Sequence, residues 1–252
     1  MVEILGIDIG GSGIKGAPVD TQTGQLTKER YRIATPKPAT PKKVVGVVQE
    51  IVEHFEWKDA IGCAFPARIK KGIARTAANV DKSWLGTNVE SLIEERTNCP
   101  AVVINDADAA GVAEMAFGAG KNRKDIVMLL TFGTGIGSAL FVNETLVPNT
   151  EFGHIELHGS SAEHYAADSA RKKDDLKWGE WAQRVQEYLD VIEFLFAPDL
   201  IIIGGGVSKP NKREKYLHDL YTNADLMTAE LQNEAGIIGA AYRARQLLVA
   251  SD

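Results

Sequence analysis

Residues 7–16 read Ile7-Asp8-Ile9-Gly10-Gly11-Ser12-Gly13-Ile14-Lys15-Gly16: an apolar run ending on a carboxylate, a cluster of glycines, and an apolar restart. Gly11 to Gly16 fits the dinucleotide pattern G-x-G-x-x-G, which requires a helix after the turn so that its amides meet a pyrophosphate. The context excludes that reading. Pro18 removes a donor where the helix would propagate, Gly16 weakens it, and the polar turn Asp20-Thr21-Gln22-Thr23-Gly24 ends the segment too soon. No G-x-x-x-x-G-K-[ST] loop occurs either. What remains is a hairpin whose glycines leave backbone N–H groups open to phosphate oxygens, or else an ordinary tight hairpin.

The same unit returns about half a chain later. Ile126 to Thr131 reads as a strand, Gly133-Thr134-Gly135-Ile136-Gly137 as a glycine turn, Ser138 to Val142 as the returning strand, and Asn143-Glu144 as a turn into a third. In the opening segment Glu3 to Ile9, Ile14 to Val19 and Gln25 to Ile33 fill those places, so Asp8-Ile9-Gly10-Gly11 and Thr131-Phe132-Gly133-Thr134 are equivalent. One such turn is ambiguous. Two in equivalent halves, each with hydroxyls, favour a pair of phosphate cradles: Gly10, Gly11, Ser12, Gly13 and Lys15 in one, Thr131, Gly133, Thr134, Gly135 and Gly137 in the other. Lys15 either meets a phosphate or faces solvent. Repetition of one supersecondary unit predicts two related lobes facing each other across a ligand-binding cleft.

Between the turns, helical spacing marks Pro41 to Phe55 and Val89 to Thr97, and buried strands are expected at Ala60 to Phe65 and Ala101 to Ile104. A small-residue helix, Ala107 to Phe117, opens directly behind Asn105-Asp106. A third glycine turn, Gly204-Gly205-Gly206, follows the apolar strand Leu200 to Ile203, and a last helix from Gly236 carries apolar Ile237, Ile238, Ala241 and Leu247. The expected partition is a smaller N-terminal lobe of residues 1–105, joined by the C-terminal helix 236–252, and a larger lobe of residues 106–235.

Composition narrows the classes. With 252 residues, 44% of them apolar, the chain can bury a full core without staples. Cys63 and Cys99 are too few for a disulfide framework or a cysteine zinc site, and a reducing compartment is expected. No basic leader with a long apolar stretch precedes the first strand and no window has the length of a membrane span, so a cytoplasmic protein without a membrane partner is expected. A net charge of −6 argues against a nucleic-acid partner recognised through overall field.

Taken together, these motifs resemble the ROK family of sugar kinases and repressors, within the actin, hexokinase and heat-shock ATPase superfamily. Ile7 to Gly16 looks like the family's first phosphate motif, Leu130 to Gly137 like the second, and Ile201 to Gly206 like the glycine strand bordering a nucleotide in ATP users. Asn105-Asp106 resembles the sugar-binding asparagine and catalytic aspartate, and Glu151-Phe152-Gly153-His154 the E-x-G-H sugar loop. The implied fold is α/β, a two-lobed actin/hexokinase-like (ribonuclease H-like, duplicated) architecture with an interlobe cleft. The short chain, the wording of Thr131 to Ala139 and the Thr76 to Gly86 segment resemble the family's polyphosphate-using glucokinases. Many members follow E-x-G-H with a cysteine-rich zinc loop; here Gly159-Ser160-Ser161-Ala162-Glu163-His164 holds the place without a cysteine, so no structural zinc is expected.

The resemblance implies phosphorylation of glucose to glucose 6-phosphate. Asp106 is the candidate general base, at the exit of a buried strand and the start of a helix whose dipole favours its charge, although an aspartate there also serves as a plain N-cap. Asn79, Asn105, Asp106, Glu151, His154 and Glu163 supply the carboxylates, amides and imidazole that sugar hydroxyls need. Trp84 either stacks on the sugar or packs in the core. Asp8 is the expected Mg²⁺ partner, through water. The donor is inorganic polyphosphate, with ATP as a weaker one; the alternatives are a strictly ATP-dependent glucokinase or glucomannokinase, and a non-enzymatic sugar sensor. A homodimer is the expected assembly.

Overall fold

The computed structural model describes residues 2–77 and 80–249, so Asn79 and its expected sugar contact lie outside the described residues. The chain divides into two compact units, Met1–Ala113 with Glu234–Asp252, and Glu114–Asn233. The break falls inside the helix that begins at Asp106, eight residues beyond the boundary expected from sequence, and the first unit is the longer of the two.

The first unit is built on a six-stranded sheet. Strands β1 (Glu3–Ile9) and β2 (Ile14–Asp20) form an antiparallel hairpin. The stretch expected as one strand over 25–33 is two, β3 (Gln25–Leu26) and β4 (Tyr31–Ile33), each pairing with a different part of β2. After helix α1 (Pro41–His54), β5 (Ile61–Phe65) joins β1 in parallel. The short pair β6 (Ile69–Lys70) and β7 (Ile73–Ala74) leads to helix α2 (Val89–Thr97), and β8 (Ala101–Asn105) then pairs in parallel with β5. Helix α3 (Asp106–Phe117) follows without a loop.

Side chains alternate across a strand, and β1 obeys this strictly. Leu5, Ile7 and Ile9 enter one core with Val44, Val48, Ile51 and Val52 of α1 and Ile93 of α2. Gly6 and Asp8 face the last helix, Ala235–Val249, on the opposite side. That helix lies backbone against backbone on the sheet and on α3: a Cβ on Gly62 would overlap the Ala240 carbonyl, and one on Gly239 the Ala109 carbonyl. Ile237, Ile238 and Ala241 are buried there as expected, whereas Leu247 is exposed.

The second unit repeats the plan. Strands β9 (Ile126–Phe132), β10 (Ile136–Val142) and β11 (Thr145–Val147) form an antiparallel meander. A hairpin of β12 (Glu156–Leu157) and β13 (Ser160–Ser161), helices α4 (Glu163–Ala166) and α5 (Asp168–Lys173), and the long helix α6 (Trp178–Phe196) follow. Strand β14 (Leu200–Gly205) pairs in parallel with β9, and after the short α7 (Pro210–Arg213), β15 (Asp225–Thr228) pairs in parallel with β14. The five strands run β11-β10-β9-β14-β15, the same meander-then-parallel order as β3-β2-β1-β5-β8. Trp181, Val185, Tyr188, Leu189 and Ile192 of α6 close the core over Met128, Leu130 and Phe132. No helix among the described residues is long and apolar enough to cross a membrane. Cys63 and Cys99 are free and buried; burial raises both thiols, that of Cys63 well above the ordinary range.

Candidate active site

Two glycine turns sit at matching strand ends. In the first, Ile9 pairs with Ile14 and the Gly10 N–H donates to the Gly13 carbonyl over 3.1 Å, closing a four-residue loop. In the second, Phe132 pairs with Ile136 and the Gly133 N–H donates to the Gly135 carbonyl over 3.0 Å, a loop one residue shorter. Gly11 and Gly133 face open space: a Cβ on either would meet nothing within 4 Å.

The second turn is held from behind. Ser169, in the first turn of α5, donates its N–H to the Gly133 carbonyl (3.0 Å) and its hydroxyl to the Thr134 carbonyl (2.6 Å). Across a trans peptide the C=O and the next N–H point opposite ways. Tying down both carbonyls therefore turns the Thr134 and Gly135 N–H groups away from Ser169, an arrangement suited to anion oxygens. Thr131 is half-buried on β9 opposite Gly137. In the first turn the Gly10 carbonyl accepts the Thr35 hydroxyl and the Ser12 carbonyl accepts Nη2 of Arg32 at 2.8 Å.

Asp8 and Lys15 are register partners on β1 and β2, and their side chains meet, Nζ to Oδ2, at 2.8 Å. Lys15 thus neither faces solvent alone nor is uncommitted: it answers Asp8. Asn105 and Asp106 divide the work at the strand-to-helix junction. Asn105 is buried; its Oδ1 accepts the N–H groups of Ala107 (2.9 Å) and Asp108 (3.1 Å), and its Nδ2 donates to the Ala67 carbonyl (3.2 Å). That is N-capping, worth about 1 kcal/mol. Asp106 shares in this, its Oδ1 accepting the Ala107 N–H at 2.9 Å, but unlike Asn105 it stands exposed, on the first helical residue, where backbone N–H groups favour negative charge. Asp108 is buried one turn position further on. Trp84 is fully buried, edge-on to Phe65 with ring centroids 4.7 Å apart, and its Nε1–H donates to the Ala39 carbonyl, so it belongs to the core and not to a sugar face.

In the second unit the sequence-predicted sugar residues converge. The turn Phe152–His154 carries His154 between two carboxylates: Nε2 lies 3.9 Å from Oε2 of Glu151, and Nδ1 lies 3.6 Å from Oε1 of Glu163. The loop is fixed by Ser138, whose hydroxyl accepts the Phe152 N–H at 3.0 Å and pairs with Thr150 Oγ1 at 3.0 Å. Glu163, at the start of α4, also reaches the second glycine turn: its Oε2 accepts the Ile136 N–H at 3.3 Å, and a Cβ on Gly135 would overlap that carboxylate. The other two histidines go elsewhere. His158 pairs with Glu187 at 2.6 Å, a hydrogen bond that, with one from Tyr165, holds the Glu187 carboxyl below its usual range, while His164 Nδ1 meets Ser160 Oγ at 3.0 Å. Among the described residues no three His, Cys, Asp or Glu side chains cluster as a metal cage.

Residues that the sequence alone did not single out are Arg32, Thr35 and Ser169. Each acts on a glycine turn from a distant part of the chain, and only the strand pairing and the helix start bring them there.

Each unit thus carries a glycine turn at the same place in the same sheet plan, the first with an exposed aspartate at a helix start and the second with an E-x-G-H loop closed by a glutamate, features that belong to the phosphotransferase class. Residues 4–172 match the ROK family, and the chain belongs to that family. It is 50% identical over 238 residues to the polyphosphate glucokinase of Mycobacterium tuberculosis, covering 94% of this chain and 89% of that one. Its structure is similar to the inorganic polyphosphate/ATP-glucomannokinase of Arthrobacter sp. strain KM, with a TM-score of 0.93 and 44% identity over 98% of this chain and 100% of that one. It is also similar to a ROK family glucokinase from Streptomyces griseus in complex with glucose and AMPPNP, with a TM-score of 0.81 and 25% identity over 97% of this chain and 100% of that one.

Proposed function

We propose that the chain phosphorylates glucose to glucose 6-phosphate, taking the phosphoryl group from inorganic polyphosphate and, more weakly, from ATP. The observation that carries this reading is the placement of residues 105 and 106: Asn105 is buried as the cap of the helix, while Asp106, whose Oδ1 accepts the Ala107 N–H at 2.9 Å, is exposed on the first helical residue within reach of a substrate from solvent. Likeness to the polyphosphate glucokinase and to the glucomannokinase supports the substrate and donor.

In this reading Asp106 accepts the proton of the attacking hydroxyl as its oxygen bonds to phosphorus. Glu151, His154 and Glu163 take the remaining hydroxyls, the carboxylates accepting and the imidazole serving as donor or acceptor according to its tautomer. Asn105 contributes by aiming Asp106, and through the second N–H of an amide already bonded to Ala67. The Thr134 and Gly135 N–H groups hold phosphoryl oxygens.

Magnesium fits the donor set. Mg²⁺ keeps most of its waters and takes one or two carboxylates, so it needs no all-protein cage, and Asp8 offers a hard oxygen at the end of β1 beside the first turn. When bound, the ion would offset the negative charge of the phosphates. The cytoplasm is the proposed location, supported by two buried free thiols. The proposed assembly is a homodimer, supported by the large apolar side chains of Phe194 and Leu195 exposed on α6. Glucomannokinase activity is the second reading, favoured by the 44% identity to an enzyme of that name.

Replacing Asp106 with Ala tests the assignment. Turnover is expected to fall by at least ~10²-fold while glucose binding by calorimetry stays measurable. A folded variant with near-wild-type turnover would refute the role.

A further inference from the structure

The strand register of the first unit lines up three charged residues. Asp8 of β1 lies opposite Lys15 of β2, and Lys15 lies opposite Arg32 of β4, so the three side chains share one face of the sheet beside the first glycine turn. Two cations placed directly opposite each other repel, a cost an ordinary sheet avoids. Lys15 is compensated by Asp8 at 2.8 Å. Arg32 is not: among the described residues no carboxylate lies within ion-pair distance of it, its side chain is exposed, and its one hydrogen-bond acceptor there is the neutral Ser12 carbonyl. The row therefore ends in a surplus positive charge at the turn.

The glycine pattern was cut to fit that charge. A Cβ on Gly13 would lie 2.6 Å from Nε and Nη2 of Arg32, so the guanidinium rests flat where any other side chain would begin. A guanidinium presents five N–H donors in a fork matched to phosphate oxygens, and only one of them is spent on Ser12.

We propose that Arg32 binds donor phosphate at the first glycine turn and sets the affinity for polyanionic donors. The proposal rests on the phosphotransferase reading above. Its ligand is a phosphate chain: inorganic polyphosphate, or the triphosphate of ATP.

The test uses the full chain with Arg32→Gln, which can still donate to Ser12 but carries no charge, and Arg32→Lys, which keeps the charge and loses the fork. Glucose 6-phosphate formation is followed with long-chain polyphosphate and with Mg-ATP, and tripolyphosphate binding is measured by calorimetry without glucose. The expected result is a donor KM raised roughly tenfold or more in Arg32→Gln, weaker tripolyphosphate binding, a glucose KM within twofold of wild type, and partial recovery in Arg32→Lys. The salt dependence of the donor KM should also flatten by about one counterion in Arg32→Gln. Unchanged donor KM in both variants overturns the proposal. So does a shared fall in kcat with donor and glucose KM moving together, because that marks Arg32 as a prop for the turn. If Arg32→Gln does not fold, Arg32→Lys decides by the same split between donor and glucose KM. A wild-type protein that makes no product with either donor instead overturns the phosphotransferase reading, and calorimetry then still reports whether Arg32 binds phosphate.

Discussion

The two glycine turns share a fold position but are backed by opposite charges. The last glycine of each makes room for a charged side chain: Gly13 for the Arg32 guanidinium, Gly135 for the Glu163 carboxylate. Where the first turn is flanked by the pair Asp8 and Lys15, the second has Thr131 and Gly137. The first is thus tuned by formal charge, which suits a polyanionic donor and its metal. The second is tuned by backbone N–H groups, hydroxyls and one carboxylate shared with His154, which suits the transferred group beside sugar hydroxyls. One supersecondary unit, used twice, has been specialised by the side chains that reach its turn from outside.

The comparison breaks most visibly at glycine. Gly135→Ala must push the Glu163 carboxylate off the turn and away from His154; displacement of about 1 Å at such a site costs ~10²-fold, and kcat/KM for glucose is expected to fall by that order. Gly11→Ala and Gly133→Ala, where a Cβ meets no protein atom within 4 Å, should fold normally, so any rise in donor KM there reports contact with the phosphate rather than damage to the turn. A silent Gly135→Ala would deny Glu163 its place in sugar binding. Gly13→Ala is intermediate: the obstacle is the far end of a flexible arginine, so the melting temperature should hold while donor KM rises several-fold and glucose KM does not.

Smaller effects sharpen the contrast. Ser169→Ala removes one hydrogen bond to the Thr134 carbonyl and should cost about 1 kcal/mol in denaturant unfolding, with donor KM raised in proportion. Just before it, Asp168 is buried, which raises its carboxyl, but hydrogen bonds from Lys172 and Arg171 outweigh the burial and leave it lowered overall. A depressed folded-state value means that this stabilisation is present above the ordinary carboxylate range near ~4 and is lost as pH falls below it. Asp168→Asn should therefore destabilise at neutral pH and converge with wild type in acid. A stability difference that is the same at all pH values would show that the ion pair contributes nothing.

Much of this was legible in the sequence because it is local. The period-two apolar runs around each glycine cluster located both hairpins, and Asn105-Asp106 at a strand end announced the helix that follows. What was not legible depends on pairing. Whether Arg32 meets Lys15, or Ser169 meets Gly133, is decided by register and by where α5 begins, neither of which leaves a local pattern. The break between β3 and β4 comes from β2 being bound at two separate places, again a non-local cause. Trp84 read equally well as a sugar platform or as core, and packing against Phe65 decided it. Helix α6 was not read from the sequence, although Trp181, Val185, Tyr188, Leu189 and Ile192 are spaced to face one core.

The central claim is that this site phosphorylates glucose from a phosphate chain. Its most direct test incubates the purified chain with glucose, Mg²⁺ and either long-chain polyphosphate or ATP at equal phosphoryl concentration, and measures glucose 6-phosphate. Product from both donors, faster from polyphosphate, is expected; product from ATP alone would contradict the donor assignment, and product from neither would contradict the function.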